Sequence, residues 1–184
     1  MSVVSKNYQW KNQKNIRPKI EDVVVDILHG DALKNALDFF AYLRANKMNP
    51  QWSSANAWKI NYKKQSVCHI RAYGSAHYND LNEPGSWHIQ PYIGEYNESQ
   101  LSDEFKQVVW KNIKHCPFCG NCRLKFRTIF GKEYHNACEG KIAFKNPNVE
   151  AIECAKKLIE LRREAIQNNK VEKHTYIPAN RSKL

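Results

Sequence analysis

The cysteines of this chain are concentrated in one short segment. Four of the six lie close together, at Cys116, Cys119, Cys122 and Cys138, and His135 precedes the last of them by three residues. Thiolates separated by two residues can bind one metal ion, because a tight turn between them points both sulfurs inward. A bound metal is therefore the chemistry that these spacings indicate most directly.

These five side chains offer more donors than a tetrahedral site needs. Four thiolates suit zinc, and so do three thiolates with the His135 imidazole. Residues 116–120 (Cys-Pro-Phe-Cys-Gly) have the form of a zinc knuckle, and residues 128–132 predict a β-turn that returns the chain toward Cys138. An iron–sulfur cluster is the competing metal interpretation, and a reactive or redox thiol pair is the third. We predict Zn²⁺ as the cofactor, in a closed site that serves structure and without which the short, basic segment cannot fold.

The remaining two cysteines occupy apolar positions of predicted elements. Cys68 lies in a predicted strand and Cys154 in a predicted helix. Free cysteine behaves as a small hydrophobic residue when buried. We expect both to be core residues rather than ligands or nucleophiles.

Apolar periodicity predicts four helices. The first follows Pro18 and runs to Leu28, where Gly30 ends it, and Asp31 caps a second helix that runs to about residue 46. Ser102 is the predicted N-cap of the third helix. The fourth starts at residues 146–147 (Asn-Pro), and its predicted polar side carries basic residues: Lys156, Lys157, Arg162 and Arg163.

Alternation of apolar and polar residues predicts three strands, at residues 58–62, 67–73 and 87–90, with Pro91 at an edge or a strand end. One face of the resulting sheet is apolar and forms the predicted core, through Trp58, Ile60, Tyr62, Cys68, Ile70, Ala72, Trp87 and Ile89. The other face is polar, and carries Lys59, Asn61, His69, Arg71, Tyr73, His88, Gln90 and Tyr92.

The predicted fold class is α+β, with helices packed on one face of a small antiparallel sheet and a small zinc-ribbon or knuckle-like module added. Five segments follow from this organisation. They are a basic N-terminal arm (1–19), an α+β domain (20–114), the cysteine-rich metal module (115–145), a C-terminal helix that packs back on the domain (146–168) and a polar tail (169–184).

The net charge of +11 makes this a basic protein, and its distribution narrows the classes of partner. Residues 1–19 and 39–79 contain basic side chains and no acid, and residues 111–145 are strongly basic. Surfaces of one sign attract polyanions such as nucleic acid. The alternative is a charge that serves solubility alone.

The polar face of the sheet is the second candidate site, through Lys59, His69, Arg71, Tyr73, His88 and Tyr92. Cations and aromatic rings that alternate on a sheet can stack bases and neutralise phosphates, or can bind an anionic small molecule. An ordinary solvated face has the same alternation. No recognisable motif places a carboxylate or nucleophile beside the histidines, so the sequence favours a binding protein over an enzyme.

Composition also bears on location. No apolar run approaches the roughly 20 residues that span a bilayer, and the first 15 residues contain no hydrophobic segment typical of a secretory signal. We therefore expect a cytoplasmic protein without a membrane partner, in a compartment where clustered thiols stay reduced and available for metal. The oligomeric state is open.

The sequence from residue 119 onward, with Cys-Gly-Asn-Cys, Thr-Ile-Phe-Gly-Lys-Glu, Cys138 and Phe-Lys-Asn-Pro before a Leu/Ile-rich helix, resembles an uncharacterised group of bacterial proteins. In that group a small helix-plus-sheet domain precedes such a cysteine module. The resemblance covers the chain from about Asp31 and implies a bacterial cytoplasmic origin and a shared architecture. It implies no activity, so no functional residue is carried over.

Three hypotheses about function follow. The first is a zinc-stabilised, non-enzymatic binding protein for nucleic acid or another polyanion. The second is a small-molecule-binding protein or an enzyme that uses the polar sheet face around His69, Arg71 and His88. The third is a protein-interaction module that docks through the last amphipathic helix.

Overall fold

A computed structural model describes residues 13–72, 85–92, 101–114, 126–135 and 142–168 of the chain. Five helices lie in these ranges, α1 (Gln13–Ile16), α2 (Ile20–Ile27), α3 (Gly30–Ala45), α4 (Asp103–Lys111) and α5 (Val149–Gln167). Seven strands accompany them, β1 (Gln51–Ser54), β2 (Ala57–Tyr62), β3 (Gln65–Ala72), β4 (Trp87–Pro91), β5 (Phe126–Ile129), β6 (Lys132–His135) and β7 (Phe144–Lys145).

The larger sheet has five strands in the order β1-β2-β3-β4-β7, and every neighbouring pair is antiparallel. Residues opposite each other in such a pair point to the same face. The register therefore aligns four fully buried side chains in one row across β2, β3, β4 and β7, namely Trp58, Ile70, Ile89 and Phe144. This row is the centre of the core face.

Helices cover the core face of the sheet. The α3 rings of Phe39 and Phe40 contact the Trp87 ring, with centroids 6.3 and 5.9 Å away. Helix α5 contacts β3, β4 and β7, and it is joined to α3 by a hydrogen bond of 2.8 Å from Arg163 Nη1 to Asn46 Oδ1. A small antiparallel sheet with packed helices confirms the predicted α+β class. The cysteine-rich module lies outside the described residues, apart from its β5–β6 hairpin and its last residues.

Of the two predicted helix caps, the structure confirms Ser102 and not Asp31. The Ser102 hydroxyl accepts a hydrogen bond from the Phe105 N–H at the start of α4, and Asn148 caps α5 in the same way. The prediction for α3 was wrong, because the helix begins at Gly30 and Asp31 lies inside its first turn. In the first turn, a carboxylate interacts favourably with the positive end of the helix dipole without capping the helix.

One further prediction needs correction, and one pair of alternatives is resolved. Arg162 of α5 lies on the predicted polar side, yet only 8% of it is exposed, because α5 packs against both the sheet and α4. Strand β4 has neighbours on both sides and ends at Pro91, so Pro91 marks a strand end rather than an edge strand. Strands β1 and β7 were not predicted.

The β2–β3 turn is formed by Lys63 and Lys64, both of which have positive φ angles, 46° and 66°. Two central residues with positive φ are typical of the type I′ turn, which matches the right-handed twist of a hairpin. Asparagine and glycine are the usual residues there. The turn therefore places two ammonium groups at the end of the hairpin despite the backbone preference against them.

The two fully buried tryptophans provide a matched test of the core. Trp58 Nε1 donates to the Pro18 carbonyl at 3.0 Å, whereas Trp87 Nε1 finds no hydrogen-bond acceptor among the described residues. We expect Trp58→Phe to lower the free energy of unfolding by about 1–2 kcal/mol more than Trp87→Phe, because only the first leaves a buried carbonyl without its donor. Urea denaturation at neutral pH measures both, and equal losses would contradict the assigned hydrogen bond.

Candidate functional site

The face of the sheet opposite the core, which we call the outer face, carries two rows of polar side chains. The first row runs across β3, β4 and β7 as Arg71, His88 and Lys145. The second runs across β2, β3 and β4 as Lys59, His69 and Gln90. Neither row contains a carboxylate. Adjacent strands are about 4.8 Å apart, and the two rows are two residues, or about 7 Å, apart along β3 and β4, so together they form one compact basic cluster.

In the second row His69 is held by Tyr92, which follows β4. The Nε2 atom of His69 lies 3.0 Å from the Tyr92 hydroxyl, and the ring centroids are 5.4 Å apart. The Tyr92 backbone N–H donates to the Val67 carbonyl at 3.0 Å, which fixes the aromatic residue beside β3. Tyr92 is 39% exposed, so its ring remains accessible to a partner.

In the first row His88 is almost completely enclosed, with 3% of its surface exposed. Its Nε2 atom is buried and makes no hydrogen bond to the part of the chain that the structure describes. Nearly all buried polar atoms in proteins have a hydrogen-bond partner. This atom is therefore the most unusual polar group of the outer face.

Both histidines are surrounded by positive charge. The pKa of His88 is lowered to about 4, first by burial and then by the positive charges of Arg71, Lys114 and Lys145. The pKa of His69 is also lowered, first by burial and then by Arg71 and Lys59. Within the part of the chain that the structure describes, every charged group that shifts the pKa of these two residues is a cation. The outer face thus presents neutral imidazoles within a field that attracts anions.

The β5–β6 hairpin is anchored on α4. Trp110 Nε1 donates to the Ile129 carbonyl at 2.8 Å, and the Phe105 and Phe130 rings pack with centroids 6.0 Å apart. Lys132 lies over the Trp110 ring, 5.3 Å from its centroid. Ile129 and Phe130 are buried by these contacts. The hairpin is therefore part of the packed structure.

The two ends of the cysteine-rich segment, at residues 113 and 142, lie next to each other. Ile113 and Ile142 form an antiparallel bridge, and the Ala143 N–H donates to the Asn112 carbonyl at 3.0 Å. Lys114 and Lys145 adjoin these contacts, and both act electrostatically on His88. The base of the cysteine-rich segment thus lies beside the first row of the outer face.

The structure brings together most of the predicted outer-face residues, namely Lys59, His69, Arg71, His88 and Tyr92. Tyr73 lies outside the described residues, as do the predicted metal ligands Cys116, Cys119, Cys122 and Cys138. The backbone of His135 lies in β6, but its side chain is not described. The metal-site prediction therefore stays a prediction. Among the residues that the structure describes, no group of three or more His, Cys, Asp or Glu side chains is arranged to bind a metal.

Sequence reasoning missed Lys145 as a site residue. It lies in a strand of two residues, which is too short to produce an alternating pattern. Its place beside His88 depends on the pairing of β7 with β4, across more than 50 residues of sequence. The only sequence signal was the basic character of residues 111–145.

The two cysteines predicted to be core residues are buried free thiols. Burial raises the pKa of Cys154 to about 12, with a contribution from Glu150, and burial also raises the pKa of Cys68. A protonated, enclosed thiol is a poor nucleophile and a poor metal ligand. This confirms the expectation that both cysteines are buried core residues.

In the described ranges, no helix combines the length and apolar character that crossing a bilayer requires.

Comparison with known proteins adds no assignment. No protein-family model matches the chain, and neither a curated protein nor a solved structure shows significant similarity to it.

Proposed function

We propose that this protein is a zinc-stabilised, non-enzymatic binding protein that recognises nucleic acid or another polyanion through the outer face. The observation that carries the proposal is the pair of cross-strand rows, in which lysine, arginine and histidine side chains lie together without a carboxylate. Lysine and arginine contacts to phosphates dominate the affinity of most nucleic-acid-binding proteins. The acid-free sequence from residue 39 to residue 79 contributes most of these side chains.

An aromatic ring at the edge of the cluster supports nucleic acid over a simple polyanion. Tyr92 is exposed beside His69, where its ring can stack on an unpaired base. Stacking on an aromatic side chain contributes about 1–3 kcal/mol per base and tolerates any sequence. We therefore favour a single-stranded ligand whose phosphates contact the rows.

A binding role also agrees with the titration of the histidines. A general acid or base works best with a pKa near the working pH. The pKa of His88 is about 4, and the cations around it disfavour a protonated intermediate. These properties suit a fixed electropositive surface better than proton transfer.

Binding to a single-stranded oligonucleotide is expected to weaken steeply with salt, with a slope of about −0.7 in log K against log salt for each phosphate neutralised. Lys59→Ala and Lys145→Ala should each reduce the magnitude of that slope by about 0.7, because each removes one cationic contact. Fluorescence anisotropy at several salt concentrations measures the slope.

Lys157→Ala provides the matched control for this experiment. It removes the same charge from an exposed position of α5, which packs on the opposite side of the sheet. Its slope should equal that of the unmodified protein. Binding that does not respond to salt, or a loss of slope as large in Lys157→Ala as in Lys59→Ala, would exclude the outer face as the interface.

Zinc is the proposed cofactor of the cysteine-rich segment. Cys116, Cys119 and Cys122 precede the β5–β6 hairpin, while His135 and Cys138 end or follow it. Phe126 is paired with His135 at the open end of the hairpin, so the two chain segments that carry the donors in sequence join the hairpin at the same end. A tetrahedral ion held by four of these five donors fits that arrangement.

Elemental analysis of protein purified without chelator tests this cofactor. One zinc per chain and no visible absorption support it. Iron in the protein together with a brown colour would instead indicate an iron–sulfur cluster.

The burial of His88 favours a second candidate, a small-molecule-binding protein or an enzyme at the same face around His69, Arg71 and His88. An enclosed polar group with a shifted pKa is typical of a ligand site. This candidate predicts saturable binding of a small anion with little dependence on oligonucleotide length. The polyanion proposal predicts affinity that rises with length.

A further inference from the structure

The first row of the outer face places three basic side chains on neighbouring strands. His88 of β4 is opposite Arg71 of β3 on one side and Lys145 of β7 on the other. With about 4.8 Å between strands, the outer two residues are about 10 Å apart, with the imidazole between them. Lys114, just beyond α4, adds a third cation that acts on His88.

The central member of this row carries a buried polar atom that requires a partner. His88 Nε2 is enclosed and makes no hydrogen bond within the described ranges. Leaving such an atom unsatisfied costs about 1–3 kcal/mol. Among the described residues, the charged groups that act on it, from β3, β7 and the end of α4, are cations. A ligand that forms a hydrogen bond with this nitrogen therefore lies among positive charges, and a negatively charged ligand is stabilised by them.

We propose that Arg71, His88 and Lys145 form a discrete binding site for a phosphate-type oxyanion, to which His88 donates a hydrogen bond from Nε2. A tetrahedral oxyanion has enough acceptor oxygens to contact all three side chains at once. The planar guanidinium of Arg71 suits two oxygens together, and Lys145 supplies a point charge. The inference rests on the proposed function, because this row would hold one phosphate group of the polyanion.

Binding of such an anion is coupled to protonation of His88. The neighbouring negative charge favours the imidazolium, so the anion and the proton each strengthen the binding of the other. The charged groups of the described residues that act on His88 are Arg71 of β3, Lys145 of β7 and Lys114 beyond α4. In the second row, His69 is the other titratable group, with a pKa lowered by burial and then by Arg71 and Lys59.

Sulfate is the probe that isolates this coupling, because it stays a dianion between pH 5 and pH 7. If the bound anion raises the pKa of His88 by about two units, sulfate should bind about tenfold more tightly at pH 5 than at pH 7. NMR titration of the His88 imidazole in the full-length, metal-loaded protein measures both that pKa and the sulfate affinity. A His88 pKa that does not move at saturating sulfate would overturn the inference.

Two variants separate the roles of the row from general electrostatics. His88→Gln retains an N–H donor but cannot titrate, so its sulfate affinity should lose the tenfold pH dependence. Arg71→Lys keeps the charge but loses the planar pair of donors. Because one charge-assisted hydrogen bond is lost, this variant should bind sulfate at least about fivefold more weakly. His69→Gln should retain most of the pH dependence. A pH dependence that survives in His88→Gln and disappears in His69→Gln would assign the site to the second row instead.

Three ligands distinguish the source of the phosphate group: inorganic phosphate, a nucleoside monophosphate and a single-stranded oligonucleotide. If all three shift the His88 resonances, the row binds a phosphate of nucleic acid. If only the two small ligands do so, the phosphate site stands and the nucleic-acid function fails. If the oligonucleotide binds while neither phosphate nor sulfate affects His88, the proposed function stands and the discrete site is excluded.

Discussion

Removal of zinc with a chelator is expected to release the β5–β6 hairpin from α4 while the five-stranded sheet stays folded. The sheet has its own core, centred on the buried row from Trp58 to Phe144, which contains no predicted ligand. Among the hairpin side chains that the structure describes, Ile129 and Phe130 are the buried apolar ones, and the described strands pair β5 and β6 only with each other. A two-stranded hairpin is marginally stable alone, so its ends need the proposed metal.

Hydrogen exchange with and without chelator measures this difference region by region. Amides of residues 126–135 should exchange much faster after chelation, and amides of β2 and β3 should not change. Cys116→Ser should reproduce the effect of the chelator, whereas Cys154→Ala, a substitution of a buried thiol on α5, should leave the zinc content unchanged. Unchanged exchange of the hairpin in zinc-free protein would contradict a structural role for the metal.

His88 is expected to destabilise the fold as the pH falls from about 6.5 toward 4. In the folded protein its pKa is about 4, below the ordinary value of 6.5, so the unfolded chain binds the proton first. The contribution of the neutral imidazole is fully present above pH 6.5 and decreases as the pH falls toward 4. At about 1.4 kcal/mol per pH unit, the full loss is about 3 kcal/mol.

Comparison with His88→Gln isolates this contribution from the titration of the carboxylates. The difference in unfolding free energy between the two proteins should change by about 3 kcal/mol between pH 7 and pH 4, in favour of the variant at low pH. Urea denaturation in chloride buffers, without phosphate or sulfate, supplies the data. His69→Gln should give a change of the same sign, because burial and cations lower the pKa of that residue too. Parallel curves for the unmodified protein and His88→Gln would rule out the lowered pKa.

Periodicity was sufficient to predict the elements that are long enough to show it. Helices α2, α4 and α5 and strands β2, β3 and β4 each contain several turns or alternations, and all were predicted. Strands β1 and β7 contain four and two residues, and such lengths leave no readable period. Arg162 was placed on the wrong side because α5 packs on two surfaces, so its apolar stripe is wider than one helix face.

The candidate site was predictable to the extent that it follows from alternation within single strands. His69 and Arg71 alternate with Cys68 and Ile70 in β3, which was enough to place them on the outer face. The enclosure of His88 was not predictable, since the burial of one side chain depends on elements far away in sequence. The same holds for Lys145, whose neighbours are set by the pairing of β4 with β7.

The bridge between Ile113 and Ile142 also determines how the intervening 28 residues relate to the rest of the chain. Their two ends are fixed at neighbouring positions, so the length of the insertion places little constraint on its host, as loop-closure entropy grows only slowly with length. The cysteine-rich segment is therefore an insertion between two neighbouring fixed ends. The same position offers a site at which a different domain can be grafted next to the outer face.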